Sequence, residues 1–404
     1  MPLHWVWLAN LRAVSIDQKM GLLRHFSTPG EIYSAPEDTL IATAVVSSQQ
    51  AQAMKGESLE EAQRIVGFCK KQDIQILHYG EDQYPQRLRN LENPPLVLYY
   101  VGKFPDFKAR PAIAAVGTRK STPYGNNTAR RICAQVSACG GILLTGGAEG
   151  IETMVLHGGL DGETPLCVVL PCGVDRVYPA RNRALFQKVL KKGCLLSPFV
   201  PGEPAYKWNF ERRNQILSGI ANGVLLVEAP CGSGALITAE AAYRQGKDLF
   251  VVPANIDMPS FAGSNDLLRD RAKAVFCGWD VLKEYAPLYP GALSRRDPAV
   301  AEGYDDREDQ VAQTPALPGV KGKTDKKPVD KGQNTQYIEL DRLLSGFPET
   351  EKTVAKALLD GPKSADEIVD LTGIPAHKVL TALTMLTMRS VVRQLPGKRV
   401  TLNL

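Results

Sequence analysis

Between Ile113 and Val252, short continuous apolar runs alternate with helical segments: Ile113–Val116, Ile142–Thr145, Leu166–Leu170, Cys194–Ser197, Val224–Val227 and Leu249–Val252. Runs this short, with no polar alternation, are strands buried on both faces. Helices between them make a parallel sheet covered on both sides by right-handed crossovers. The clearest unit joins the strand ending at Val116 to a helix from Pro123 to Cys139, whose Ala129, Ile132, Cys133 and Val136 form an inward stripe before Gly140-Gly141 stops it. Ile74–Leu77 and LVLYYVG (96–102) are further strands. The prolines at 85, 94 and 95 suit edge or turn positions and nothing central.

Three other patterns flank this region. Residues 1–75 carry apolar positions at helical spacing near Leu22, Leu23 and Phe26 and near Ala62, Ile65, Val66 and Phe68, which predicts a small helical domain. The sheet domain then spans 76–290. Residues 291–336 turn to Pro, Gly, Asp and Lys and read as a flexible linker, whose lysines 321, 323, 326, 327 and 331 either brush a phosphate backbone or are solvated tether. In 337–404, Glu351–Leu359, Ala365–Leu371 and a helix from Pro375 to about Met388 precede a hairpin around Pro396-Gly397. Three helices and a hairpin are the winged-helix arrangement. Its third helix exposes His377, Lys378, Thr381 and Thr384, a thinly basic set, whereas Arg389, Arg393, Lys398 and Arg399 make the wing more basic. Nucleic-acid binding and protein docking both remain open for it.

Composition narrows the picture little. The chain has 404 residues, 44% hydrophobic, with a net charge of +5 that is compatible with nucleic acid without establishing it. The eight cysteines form no CxxC pair and read as buried hydrophobes of a reducing compartment. MPLHWVWLANLR is not a signal segment, and no run approaches the ~18 apolar residues of a membrane span, so a cytoplasmic protein is expected.

The chemistry sits in the turns that follow the strands. In VGTRKSTPYG (116–125), Gly117 permits close approach, Arg119 supplies a guanidinium, and Thr122-Pro123 start a helix, so an anion is expected there. TGGAEGIETMVLH (145–157) exposes backbone N–H groups at Gly146 and Gly147; its His157 reads as a packing residue. PCGVDRVYPARNRALF (171–186) carries arginines 176, 181 and 183 around Tyr178-Pro179. YKWNFERRNQILSG (206–219) interleaves Lys207, Trp208, Phe210, Arg212 and Arg213. Cations with aromatic faces are what unpaired bases require, a surface loop held by its aromatics being the alternative. VEAPCGSGALITAEAA (227–242) keeps a glycine pair, Ser233 and Thr238 at a helix start. It lacks the third glycine and the acidic residue of a dinucleotide fingerprint, so a phosphate cradle is expected and a nicotinamide or flavin is not.

Absent motifs weigh as well. The chain holds no GxxxxGK[ST], GxSxG, HExxH or cysteine-histidine zinc spacing, and nothing in it pairs two of Glu149, Glu152, Glu228 and Glu240 for acid-base work. Binding is favoured over catalysis, with no cofactor and no metal.

VGTRKSTPYG, TGGAEGIETMVLH, Tyr178-Pro179, FERRN (210–214), SGALITA (233–239), VPANI (252–256) and GSNDLL (263–268) occur in the order and spacing that make the chain resemble the DNA-processing protein A (DprA/Smf) family of recombination mediators of natural transformation. Glu152, Pro198, Gln215 and Arg271 depart from its usual residues. The resemblance implies an α/β fold: an extended Rossmann-like parallel sheet with an N-terminal helical (SAM-like) domain and a C-terminal winged-helix domain. It implies a homodimer that binds single-stranded DNA without sequence preference, protects it, and loads RecA recombinase. By position, Arg119 clamps a phosphate, Lys207, Arg212 and Arg213 line a groove, Phe210 stacks a base, and Asn214 bonds the strand or braces the turn. Gly117, Gly146, Gly147, Ser233 and Gly234 present backbone or hydroxyl donors. Two rival readings are a lysine-decarboxylase-like nucleotide hydrolase acting through Glu240 and a structural adaptor that binds no nucleic acid.

Overall fold

A computed structural model describes residues 2–269, 271–296, 348–358, 363–372, 374–388, 391–395 and 399–402. Of the expected linker, residues 297–336 lie outside the described residues, as do Arg389 and Lys398 of the expected wing. The chain divides into two compact units, Met1–Gly322 and Lys323–Leu404.

The first unit is built on a nine-stranded sheet in the order β1-β2-β6-β5-β4-β3-β7-β8-β9. Its strands are β1 (Gln75–His78), β2 (Val97–Gly102), β3 (Ala112–Val116), β4 (Ile142–Thr145), β5 (Leu166–Val169), β6 (Cys194–Ser197), β7 (Gly223–Leu226), β8 (Asp248–Val251) and β9 (Lys273–Ala274). β2 pairs antiparallel with both β1 and β6, and the pairs from β6 to β9 are parallel. The proline-flanked strands therefore form an edge, as their sequence predicts. β9 has only two residues and no apolar run, which is why the hydrophobic pattern does not reveal it.

Every residue of β3 is buried because the sheet is covered twice. Ile113 and Ala115 enter one core with residues of α7 (Pro123–Ala138), α8 (Ile151–Asp161) and α9 (Arg183–Lys192). Ala112, Ala114 and Val116 enter the other, against α10 (Asn209–Ile220) and α11 (Gly234–Arg244). Period-2 alternation is present in the side-chain directions but carries no polarity, since both directions lead to apolar layers.

Six helices precede β1: α1 (Pro2–Asn10), α2 (Ile16–His25), α3 (Pro29–Ser34), α4 (Glu37–Ala42), α5 (Ser48–Gly56) and α6 (Glu60–Lys71). Capping boxes start α2 at Ser15 and Gln18 and α5 at Ser47 and Gln50. The two box glutamines bond each other, Gln18 Nε2 to Gln50 Oε1 at 2.9 Å, which ties the helix starts together. This layer packs Val6, Leu8, Leu22 and Ile65 with Val97, Tyr99 and Val101 of β2, covering the antiparallel edge.

Two short helices, α12 (Ala262–Leu267) and α13 (Gly278–Leu282), complete the first unit. The second unit holds α14 (Glu349–Ala357), α15 (Ala365–Thr372) and α16 (Ala376–Met388), and a three-stranded sheet of β10 (Lys363–Ser364), β12 (Arg399–Leu402) and β11 (Val392–Leu395) in that order. Val354, Leu358, Ile368, Val379 and Leu386 make its core. This is the winged helix expected from the pattern, with β10 added.

Candidate nucleic-acid interface

From β3 the chain steps to β4, β5 and β6 on one side, and β7 then returns to the other side of β3. The strand order thus reverses between β3 and β7, and a crevice opens beyond their carboxyl ends. The turns 117–122 and 227–234 meet there: Thr118 N–H donates to the Glu228 carbonyl at 2.8 Å, and Val227 N–H to that of Val116 at 3.1 Å.

The amino end of α7 is where the sequence predicts an anion, and an anion is present. It is internal. Glu228, fully buried, accepts hydrogen bonds from Thr122 N–H at 3.0 Å and Thr122 Oγ1 at 3.1 Å. Thr122 Oγ1 in turn accepts from Gly125 N–H at 3.1 Å. A Cβ on Gly125 would lie 1.9 Å from Glu228 Oε2, so this glycine makes room for the carboxylate. The positive helix end is neutralised before any ligand arrives.

The 146–150 turn is filled in the same way. Glu152 accepts from Ala148 N–H at 2.9 Å and pairs with Arg213, Nη1 to Oε2, at 3.6 Å. A Cβ on Gly146 would overlap the guanidinium of Arg213, 0.9 Å from Nη1. Gly147, at φ +69°, has its would-be Cβ 2.8 Å from the Phe186 ring, and its carbonyl accepts from Asn182 Nδ2 at 2.9 Å. Gly146 and Gly147 are therefore buried spacers, not donors facing a ligand. His157 is half-buried on α8 and does not line the crevice.

The amino end of α11 remains open. Ser233 caps it, accepting from Ala235 N–H at 3.3 Å, and space is free where Gly232 and Gly234 would carry a Cβ. These residues, with Gly117 and Arg119 opposite and Lys207, Phe210, Arg213 and Asn214 of the α10 region between, line a cleft of about 970 Å³. The structure thus brings Gly117, Arg119, Lys207, Phe210, Arg213, Asn214, Ser233 and Gly234 to one cavity. Arg212 is not among them. One position along α10 is a rotation of about 100°, which turns its side chain off the cleft and toward other cavities.

Arg119, Lys120 and Lys207 are exposed, and none pairs with a carboxylate among the described residues. Arg119 lies over the Phe210 ring, 5.2 Å from its centroid, and the buried Arg213 is 5.9 Å from the same ring. Tyr178, whose peptide to Pro179 is cis, meets Phe210 edge-on at 5.5 Å. Phe210 is thus half-buried and partly covered.

The freer aromatic surface is that of Trp208, already part of the cation-aromatic pattern of 206–219, together with Tyr206, which that pattern does not single out. Tyr206 and Trp208 stack at 4.6 Å and 13°, with Trp208 70% exposed. Asn209 holds them out: it is buried, and its Nδ2 donates to the Pro171 carbonyl at 3.1 Å and to Glu203 Oε1 at 2.9 Å. Aromatics at 206, 208 and 210 in YKWNF were the available signal. Which of them would be anchored and which exposed depended on Asn209.

Glu240, the carboxylate a nucleotide hydrolase would need, is bonded to Arg244 at 3.0 Å and Arg271 at 3.3 Å and does not line this cleft. Among the described residues, no group of three His, Cys, Asp or Glu side chains could hold a metal, and no helix is long and apolar enough to cross a membrane. Six of the eight cysteines are buried as predicted, Cys231 is exposed, and Cys277 is intermediate.

In the second unit, α16 exposes His377, Lys378, Thr381 and Thr384, with Leu380 and Met385 beside them. Thr381 and Thr384 donate their hydroxyls to the carbonyls of His377 and Leu380 on their own helix. The face is thinly basic, as expected.

A doubly wound sheet with an open, cation-lined crevice at its strand-order reversal, followed in the chain by a winged helix, defines the class: a Rossmann-like α/β protein with a winged-helix domain. The family model described as "DNA recombination-mediator protein A" matches residues 75–286, and that of the "DprA winged helix domain" matches 343–398. The chain belongs to the DNA recombination-mediator protein A (DprA/Smf) family, and its role lies in DNA processing. It is 28% identical to "Protein Smf" of Synechocystis sp., over 82% of this chain and 80% of that one. It is 31% identical to "DNA processing protein DprA" of Bacillus subtilis, over 55% and 74%. The crystal structure of DprA from Streptococcus pneumoniae superposes with a TM-score of 0.59 at 25% identity, covering 69% of this chain and 95% of that one.

Proposed function

We propose that the cleft binds single-stranded DNA without sequence preference, and that the protein shields the strand and delivers it to RecA recombinase during transformation or recombination. One observation carries this reading: unpaired cations share one open cleft with the exposed Trp208, which stacks on Tyr206. Arg119, Lys120 and Lys207 supply charge for phosphates, and Tyr206 with Trp208 offers a face on which bases stack. Base stacking tolerates any sequence because every base has a π-face, and backbone cations read none. Arg119 is the phosphate clamp at the mouth, held over Phe210. Arg213 and Asn214 brace the floor; Ser233, Gly234 and Gly117 offer hydroxyl or backbone contacts.

In this reading the protein is a cytoplasmic homodimer with no catalysis of its own. Residues 1–75, 76–290, 291–336 and 337–404 are its helical, strand-binding, linker and winged-helix parts. The position of Glu240 outside the cleft favours binding over nucleotide hydrolysis.

The test is fluorescence anisotropy of the full chain with single-stranded and duplex oligonucleotides across salt. The single strand should bind more tightly, with affinity falling as salt rises, and Arg119→Ala should weaken it severely. Equal, weak binding of both forms, indifferent to Arg119→Ala, overturns the proposal. Stimulation of RecA strand exchange on nuclease-exposed single strands tests the delivery step. Release of free base from a nucleoside monophosphate, lost in Glu240→Ala, would favour the hydrolase instead.

A further inference from the structure

Arg212, which the cleft does not contain, lines a cavity of about 460 Å³ between α1, α2, the 93–97 segment and the turn after β6, and also lines the groove beside α11 that holds Glu92, Glu211 and Glu240. Gln215 is on the same face of α10, one turn on, and Lys19 of α2 faces them across the space. No Asp or Glu among the described residues lines the cavity shared with Lys19. Arg212 is half-buried and has no hydrogen-bond or ion-pair partner among the described residues. Lys19 is 7% exposed, and its one acceptor among them is the Ala9 carbonyl at 2.8 Å, leaving two of its three N–H donors unused.

Two partly desolvated cations in one carboxylate-free cavity are costly unless an anion joins them. Burial lowers the pKa of both, as expected where no acid compensates. The remaining walls suit more than a bare ion. Phe199 and Pro198 present an apolar face, and the amides of Asn93 and Gln215 can donate and accept.

We infer that this cavity is a second phosphate-binding site that takes a nucleotide, its phosphate between Arg212 and Lys19 and its base against Phe199 and Pro198. The nucleotide is either free or carried by a strand that continues past the cleft. The site stands on its own cations, and only the strand-borne alternative rests on the function proposed above.

The full chain is titrated calorimetrically with thymidine 5′-monophosphate, inorganic phosphate and thymidine. The nucleotide should bind, inorganic phosphate should compete, and thymidine should bind about tenfold or more weaker, the size of one lost charge-assisted contact. Arg212→Gln and Lys19→Met should each weaken the nucleotide by a similar factor, and should do so equally in an Arg119→Ala background, where the clamp of the cleft is absent. In a parallel arm, oligothymidylates of about six and about twenty nucleotides are compared. If the anion is strand-borne, Arg212→Gln weakens the longer oligomer and spares the shorter, even where the free nucleotide does not bind. Gln215→Glu, which places a carboxylate in the cavity, should reproduce either loss, and undiminished binding of the short oligomer shows that each variant is folded. Indifference of both arms to Arg212→Gln, or nucleotide binding that depends on Arg119 in its place, overturns the inference. Failure of the wild-type chain to bind any oligomer would instead count against the strand-binding cleft, leaving the nucleotide titration to decide this site.

Discussion

Arg213 and Glu152 bury opposite charges against each other, Nη1 3.6 Å from Oε2, in the space Gly146 leaves by having no side chain. A turn whose three glycines suggest a ligand cradle is thereby a socket for the protein's own guanidinium. Removing one partner strands the other charge, so Glu152→Ala should lower stability by about 3–5 kcal/mol. Gly146→Ala should also be strongly destabilising, because its methyl group occupies the position of Nη1. Urea unfolding measures both. The check on mechanism is coupling: Arg213→Ala removes the clash, so the pair Gly146→Ala with Arg213→Ala should be far less damaging than the sum of the two.

Glu228 performs the same service for the first turn. Glu228→Gln sets an amide where two donors of Thr122 need acceptors, and a loss of about 1–3 kcal/mol is expected. Gly125→Ala should be comparable or worse, since its Cβ would fall 1.9 Å from Oε2. Strand affinity per folded molecule should survive in Glu228→Gln, because this carboxylate organises the turn from behind the cleft. Denaturation and anisotropy on the same samples separate the two effects.

Trp208 is more exposed than Phe210 and stacked on Tyr206, so it is the better base platform. Trp208→Ala should weaken single-strand binding by about 1–3 kcal/mol. Its effect should be nearly independent of salt. Lys207→Ala should instead lower the slope of log affinity against log salt by about one unit. Titrations at several salt concentrations distinguish stacking from charge.

Burial pulls the Lys19 ammonium down to about 8 from its ordinary 10.5. Below pH 8 both folded and unfolded chains hold the proton, and the full cost of burying the charge is present. Between about 8 and 10.5 the unfolded chain binds more protons, so the Lys19 contribution to stability rises with pH and then levels. The ionisable neighbours in its cavity are Arg212, which is common to wild type and variant, and Tyr99, which burial raises and keeps neutral. Urea unfolding of wild type and Lys19→Met at about pH 7 and about pH 10 should show the wild type gaining relative to the variant. Lys247, also lowered to about 8, is common to both and cancels.

Much of the fold was legible because buried parallel strands must be apolar throughout and their helices must be amphipathic. Val116, Ile142, Leu166 and Cys194 each fall in observed strands, and Thr122-Pro123 opens α7. The winged helix was legible for the same reason. β9 and β10, of two residues each, carry no pattern to read.

The chemistry was legible only as residue types. Residue order alone dictates that glycines, hydroxyls and cations gather at strand ends, and that aromatics interleave with lysine and arginine at the start of α10. Tertiary structure alone decided which anion each turn meets, because Glu228 and Glu152 approach from other elements and no local spacing encodes that approach. It also decided that Arg212 and Arg213, neighbours in FERRN, turn from one helix into different cavities. The helix period turns adjacent residues about 100° apart, but which side holds the cleft is set by where β3, β7 and the N-terminal helices pack.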